Sequence, residues 1–149
     1  MIRWGIIGAG NIAGRFAESL KSESRSTLAA VSSRSQAKAE TFAKKFNAEK
    51  FYAAHDLILA DENIDAVYIA LPHALHKDFS IKALKAGKAV LCEKPATLNF
   101  AEMKEIAAVA RAAKLLLTNY TARNSQPSTA KIFLRPTKLT IFTAKLTIL

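Results

Sequence analysis

The sequence predicts an α/β protein built on a doubly wound parallel sheet, and three observations carry that prediction. Short apolar runs alternate with stretches in which apolar residues recur three and four apart, a strand-then-helix rhythm kept up to about residue 118. The first run, Ile2 to Ile7, ends in a glycine turn, Gly8-Ala9-Gly10-Asn11-Ile12-Ala13-Gly14, that opens a helical stretch. Residues able to do chemistry follow directly on the later runs, at the carboxyl ends where open α/β sheets gather their ligands.

Taken in order, the first helix is carried by Arg15-Phe16-Ala17-Glu18-Ser19-Leu20, apolar on one face. Between strand and helix, Gly8 can adopt the angles of a tight turn, and Gly10 lets a pyrophosphate approach without meeting a Cβ. Ala13 is small enough for the helix to lie close on the strand. The free amides at the start of the helix and the helix dipole favour an anion, the dipole by roughly 0.3–1 kcal/mol at exposed sites. This G-x-G-x-x-A arrangement therefore reads as a dinucleotide-binding turn. Leu28 to Ser32 forms the second strand, followed by a helix from about Gln36 to Phe46 with Ala39, Phe42, Ala43 and Phe46 on one face. Where NAD-selective proteins place an acid for the ribose 2′-hydroxyl, this chain has Ser32-Ser33-Arg34. No carboxylate is there to repel a phosphate. The Arg34 guanidinium can take one through two parallel hydrogen bonds, the Ser33 hydroxyl can add another, and Lys38 lies one helical turn on. The expected cofactor is NADP in preference to NAD.

Lys50 to Tyr52 reads as a short edge strand and Ala54 to Leu59 as a short helix. Asp65 to Leu71 is a buried parallel strand ending on Pro72-His73-Ala74-Leu75-His76. A helix from about Ala74 to Ala86 stops at Gly87. The next strand, Lys88 to Cys92, delivers Glu93-Lys94-Pro95 to the same sheet edge. Asn99 caps a helix running to about Ala113, with Glu102 three residues on, and Leu115 to Thr118 is the last strand of the pattern. Residues 1–118 thus form one dinucleotide-binding domain. Residues 119–149 read as an irregular, basic, threonine-rich tail in which Lys138 to Phe142 resembles Lys145 to Leu149, as strands or as an adventitious sequence.

Composition narrows the classes. The 149 residues are half hydrophobic, enough for a real core. No apolar run reaches the ~18 residues of a membrane span, and the chain reads as cytoplasmic. A lone cysteine, Cys92, offers neither disulfide nor metal motif, and no metal is expected. The net charge of +10 is concentrated at the end, where seven basic residues and no acid follow Glu105. These are scattered, not clustered, so nucleic acid is not the expected partner.

Four segments together resemble the glucose–fructose oxidoreductase and inositol dehydrogenase family: Gly5 to Ala13, Ser33-Arg34, Asp65 to His76, and Gly87 to Pro95 with its closing Glu-Lys-Pro. Within that family the chain looks like the NADP-dependent dihydrodiol and sugar dehydrogenases. The resemblance covers residues 1 to about 118 and implies a Rossmann-type domain that is followed, in the family, by an α/β substrate domain. It further implies that Gly8, Gly10, Asn11 and Ile12 hold the pyrophosphate and that Ser33 and Arg34 meet the adenosine phosphate. Leu71, Pro72 and His76 would wall the nicotinamide ribose. Glu93 and Lys94 would stand at the nicotinamide, Lys94 as the catalytic cation beside the substrate hydroxyl. A cis Lys94–Pro95 bond is expected. The family's substrate domain has no counterpart here, and the sequence reads as a nucleotide-binding half cut or frameshifted near residue 119.

The expected function is hydride transfer between a sugar or cyclic diol and NADP, weak or absent in this fragment, with a homo-oligomer open. The alternatives are a non-catalytic dinucleotide-binding or interaction module and, less favoured, a basic-tail binder of nucleic acid.

Overall fold

The computed structural model describes residues 1–115, 117–120, 128–132 and 142–146, the stretches from residue 118 on by their backbone alone. The chain alternates strand and helix: β1 (Ile2–Ile7), α1 (Asn11–Leu20), β2 (Ser26–Ser32), α2 (Gln36–Phe46), β3 (Lys50–Tyr52) and α3 (His55–Ala60). Then come β4 (Ala66–Ile69), a 3-10 turn (His73–Leu75), α4 (His76–Lys85), β5 (Ala89–Glu93), α5 (Phe100–Ala113) and β6 (Leu117–Tyr120). The six strands form one parallel sheet in the order β3-β2-β1-β4-β5-β6. The predicted doubly wound sheet is therefore present. Each parallel pair needs a crossover, and the crossovers put helices on both faces.

The faces have separate cores because side chains alternate along each strand. Trp4, Ile6, Leu28, Val31, Tyr68 and Leu91 point toward α1 and α2, where Phe16 stacks on Tyr68 with ring centroids 4.1 Å apart. Ile7, Ala30, Val67, Ile69, Val90 and Cys92 point the other way, toward Ile58 of α3, Leu84 of α4 and Ile106 of α5. Burying such a side chain stabilises by roughly 1.5–3 kcal/mol, so two full faces hold the sheet rigidly enough to serve as a platform. Cys92 lies inside, and burial pushes its thiol up to about 12. It is an inert core residue.

The amino-terminal edge of the sheet closes on itself. Arg3 donates to Glu49 at 2.6 Å and, through its amide, to Asp65 at 2.8 Å. Asp61 accepts from Lys50 at 2.9 Å, the Tyr52 hydroxyl at 2.7 Å and the Asn63 amide at 2.9 Å. Lys88 is buried and gives its ammonium to the Asp61 and Ile64 carbonyls at 2.7 and 3.0 Å.

The differences from the sequence reading are local. Helix α1 starts at Asn11, four residues before the stretch Arg15 to Leu20 that carried its periodicity, so part of the glycine turn is already helical. The segment after β4 is broken, a 3-10 turn preceding α4, where one continuous helix from Ala74 was expected. Strand β6 spans Leu117–Tyr120, shifted past residue 118. Beyond it, Ser128–Ile132 (β7) pairs antiparallel with Phe142–Leu146 (β8), which overlaps the two related segments of the tail only in part. Residues 138–141 and 147–149 of those segments lie outside the described residues. Among the described residues no helix is long and apolar enough to cross a membrane, and no group of three or more His, Cys, Asp or Glu could hold a metal ion.

Candidate functional site

The winding of the sheet reverses between β1 and β4: from β1 the chain works outward through β2 and β3, then returns to build β4, β5 and β6 on the other side. At such a switch point the two adjacent loops part and leave a crevice at the carboxyl edge. The loops after β2, β1, β4 and β5 line up along that edge in that spatial order. They carry Ser33-Arg34, Gly8 to Ile12, Leu71-Pro72 and Glu93-Lys94, so all four sequence-predicted groups come to one edge. Three interstrand spacings separate the first from the last, roughly 14 Å. An extended ligand with several distinct groups is needed to touch them all.

The two glycines of the turn are required for different reasons. Gly8 has φ +105°, and a Cβ there would fall 2.5 Å from the Ala70 carbonyl oxygen, so the fold itself demands glycine. Its amide donates to the Ser32 carbonyl at 2.9 Å, and the Ala70 amide donates to Ile7 at 2.9 Å, locking the turn to both neighbouring strands. Gly10 is ordinary, extended backbone with φ −93°, and a Cβ on it would meet nothing within 4 Å. Nothing in the described protein asks for glycine there; a group approaching from outside would.

Helix α1 is open in the same direction. Helices α2 and α5 are capped by the side chains of Ser35 and Asn99, which accept from the amides of Lys38 and Glu102. Helix α1 has no side-chain cap and no acid in its first turn. The Asn11, Ile12 and Ala13 amides have no acceptor among the described residues, which is the donor set an anion would satisfy. A groove of about 940 Å³ runs from this turn between α1 and α2, with Arg15, Lys38, Thr41 and Lys45 along it.

At the end of β2, Arg34 and Lys38 are exposed and enter no ion pair among the described residues, while the Ser33 hydroxyl accepts from the Ser35 amide at 3.2 Å. Beneath them lies a pair that the sequence reading missed. The buried His55 places Nδ1 2.9 Å from the Ser32 hydroxyl. Burial, and then the Arg34 charge, push the His55 imidazole below its ordinary range, so it stays neutral. The two partners are 23 residues apart with no shared motif, and no local signal could have announced them.

At the other end of the crevice, Glu93 is pinned: one carboxylate oxygen takes the Tyr68 hydroxyl and the other the Lys94 amide. Lys94 is exposed and enters no ion pair among the described residues, and the Lys94–Pro95 bond is cis as expected. Leu71 is half-buried and Pro72 exposed, bordering the crevice. His76, by contrast, is fully buried, its two ring nitrogens each 2.7 Å from a backbone carbonyl, Pro95 and Leu71. It has no free polar atom to offer a ligand. Its neighbour His73 is exposed on the rim.

Residues 2–121 match the family model described as an oxidoreductase family with an NAD-binding Rossmann fold. Mouse trans-1,2-dihydrobenzene-1,2-diol dehydrogenase is 43% identical over 118 residues, covering 78% of this chain and 35% of the enzyme. The scyllo-inositol 2-dehydrogenase (NADP(+)) IolU of Bacillus subtilis is 42% identical over 117 residues, covering 78% of this chain and 36% of its own length. The crystal structure of KijD10, a 3-ketoreductase from Actinomadura kijaniata in complex with NADP and TDP-benzene, superposes with a TM-score of 0.75 at 35% identity. That match covers 78% of this chain and 36% of KijD10. The chain thus spans about a third of the length of the relatives it matches. It belongs to the GFO/IDH/MocA oxidoreductase family and forms that family's NAD-binding Rossmann fold.

Proposed function

We propose that this chain is the NADP-binding part of an oxidoreductase that moves a hydride between the nicotinamide and a carbon of a sugar or cyclic diol. The observation that carries the reading is the end of β2: Arg34 and Lys38 stand exposed there, with no carboxylate, beside the uncapped start of α1. Asn11, Ile12 and the glycines would hold the pyrophosphate, and Ser33, Arg34 and Lys38 the 2′-phosphate. Leu71 and Pro72 would border the nicotinamide ribose, His76 supporting them from behind. The nicotinamide supplies the hydride-accepting ring when bound. Lys94 would stand at the substrate hydroxyl, stabilise negative charge developing on its oxygen and share its proton. Glu93, already held by Tyr68, fixes the start of the Lys94 turn. The NADP(+) that IolU's name carries and the NADP bound to KijD10 support the cofactor choice.

A second reading, a dinucleotide-binding module without turnover, draws support from the described crevice itself, where the uncapped start of α1, Arg34 and Lys38 face a cofactor and Lys94 alone is offered for chemistry. One experiment separates the two. Titrated with NADPH and NADH, the chain is expected to prefer NADPH by about tenfold or more, the worth of one phosphate clamp. Arg34→Glu should reverse the preference, and equal affinities in the unmutated chain would overturn the cofactor assignment. Turnover on a panel of sugars and diols, lost in Lys94→Ala with binding retained, decides for the enzyme. Binding with no turnover decides for the module.

A further inference from the structure

We propose that His55 is a positioning residue for the cofactor's 2′-phosphate: through the Ser32 hydroxyl it fixes the end of β2, and with it the Ser33-Arg34 loop. Ser32 is the last residue of β2 and has 0% exposure, and its hydroxyl lies 2.9 Å from His55 Nδ1 and 3.4 Å from the Ile6 carbonyl. A neutral imidazole satisfies that hydroxyl in either tautomer. It accepts the hydroxyl hydrogen at Nδ1, or it donates from Nδ1 while the hydroxyl turns its own hydrogen to Ile6. Phe79 of α4 backs the ring edge to face, with centroids 5.4 Å apart and planes at 88°. Stability does not ask for such a pair, since two apolar side chains of similar shape in a buried site hold a fold about as well. What the bond adds is direction.

Direction matters because the phosphate loop leaves the sheet at this point. The pairing of β2 with β3 ends at Ser32 opposite Tyr52. Beyond it two bonds tie the loops together: the Ser33 amide donates to the Tyr52 carbonyl at 3.0 Å, and the Ser32 hydroxyl meets His55. Arg34 follows between two anchored residues, Ser33 and Ser35, the latter capping α2 through the Lys38 amide. The Arg34 charge is close enough to help hold the His55 imidazole below its ordinary range, so the loop and the histidine are neighbours in space. A guanidinium takes a phosphate through two parallel hydrogen bonds when its fork is already in place, and a fork that has to be ordered on binding loses affinity. The pyrophosphate turn is held separately, by the Gly8 amide on the Ser32 carbonyl, a backbone bond that owes nothing to the side chain at 55. His55 therefore acts on the one phosphate that separates NADPH from NADH. The inference rests on the NADP reading above and is independent of Lys94 and of hydride transfer.

Fluorescence titration of the whole chain with NADPH and with NADH tests it. His55→Leu leaves the Ser32 hydroxyl its Ile6 carbonyl, and it is expected to weaken NADPH roughly three- to tenfold, the worth of one hydrogen bond, while NADH changes less than about twofold. His55→Asn sets an amide near the place of Nδ1 and should return NADPH affinity to within about twofold of the unmutated chain. Ser32→Ala combined with His55→Leu should lose no more than His55→Leu alone, because the same bond is removed once. An intact NADPH preference in His55→Leu overturns the proposal, as does weakening of both cofactors by the same factor. Failure of His55→Asn to rescue, or a larger loss in the double variant, overturns it too. If His55→Leu does not fold, the double variant, which leaves the site apolar, decides in its place. If neither folds, the pair holds the core and the positioning role is overturned. Equal affinities for NADPH and NADH in the unmutated chain sink the cofactor reading and this proposal with it, whereas an intact preference in His55→Leu sinks this proposal alone.

Discussion

The two edges of the sheet handle charge in opposite ways. At the amino ends of the strands, Arg3 meets Glu49, Lys50 meets Asp61, and Lys88 is sunk into two carbonyls. At the carboxyl ends, Arg34, Lys38 and Lys94 enter no ion pair among the described residues, and α1 begins with bare amides. The same chain, with the same residue types, satisfies itself at one edge and not at the other. Charges that meet protein partners are part of the fold, and those set out along the crevice are left open to a ligand, the role proposed for them above.

The largest expected effect uses the one position where fold and site coincide. Gly8→Val places a branched side chain at φ +105° and against the Ala70 carbonyl, costing about 3 kcal/mol or more, and denaturant unfolding should show it. If Gly8→Val unfolds at the same midpoint, the turn is softer than the two flanking hydrogen bonds imply. Next comes Asp61, whose carboxylate sits well below its ordinary range because of the Tyr52 hydroxyl first, then the Asn63 amide and Lys50. A lowered folded value means stability that is fully present above about pH 4 and drains away as pH falls through the folded value. Asp61→Asn should cost about 2 kcal/mol at neutral pH and flatten the acid limb of the stability curve. An unchanged acid limb would mean that the lower edge is not held by this carboxylate.

What the sequence revealed and what it hid divide along contact range. Strands and helices were legible because apolar spacing is local, and the Gly8 turn because its glycines are adjacent in sequence. The Glu-Lys-Pro segment was legible as the end of a strand. The Ser32–His55 pair, the Arg3 amide bonded to Asp65 and the Tyr68–Glu93 pair join residues 23, 62 and 25 apart, and no window along the chain contains both partners. His76 is the instructive case. The family resemblance set it in the wall of the nicotinamide ribose, yet α4 begins at His76 itself, after the 3-10 turn, and both of its ring nitrogens face backbone carbonyls. A break of one turn in a helix is invisible to a 3.6-residue period and decides which way a side chain points.

Gly10→Ala adds a methyl into open space at an ordinary φ, so stability should stay within about 0.5 kcal/mol. NADPH affinity should nonetheless fall about tenfold, because the methyl occupies the approach of the pyrophosphate. If both stay unchanged, the ligand does not come over this turn. Glu49→Gln tests the converse at the lower edge. Its pair with Arg3 is partly exposed, with side chains 34% and 46% accessible, and such pairs contribute about 0.2–1 kcal/mol that salt screens away. Melting in low and high salt should show a small loss that disappears in high salt, with NADPH binding untouched. A loss of binding in Glu49→Gln would mean that the two edges communicate through β1, and that the paired edge does more than hold the sheet.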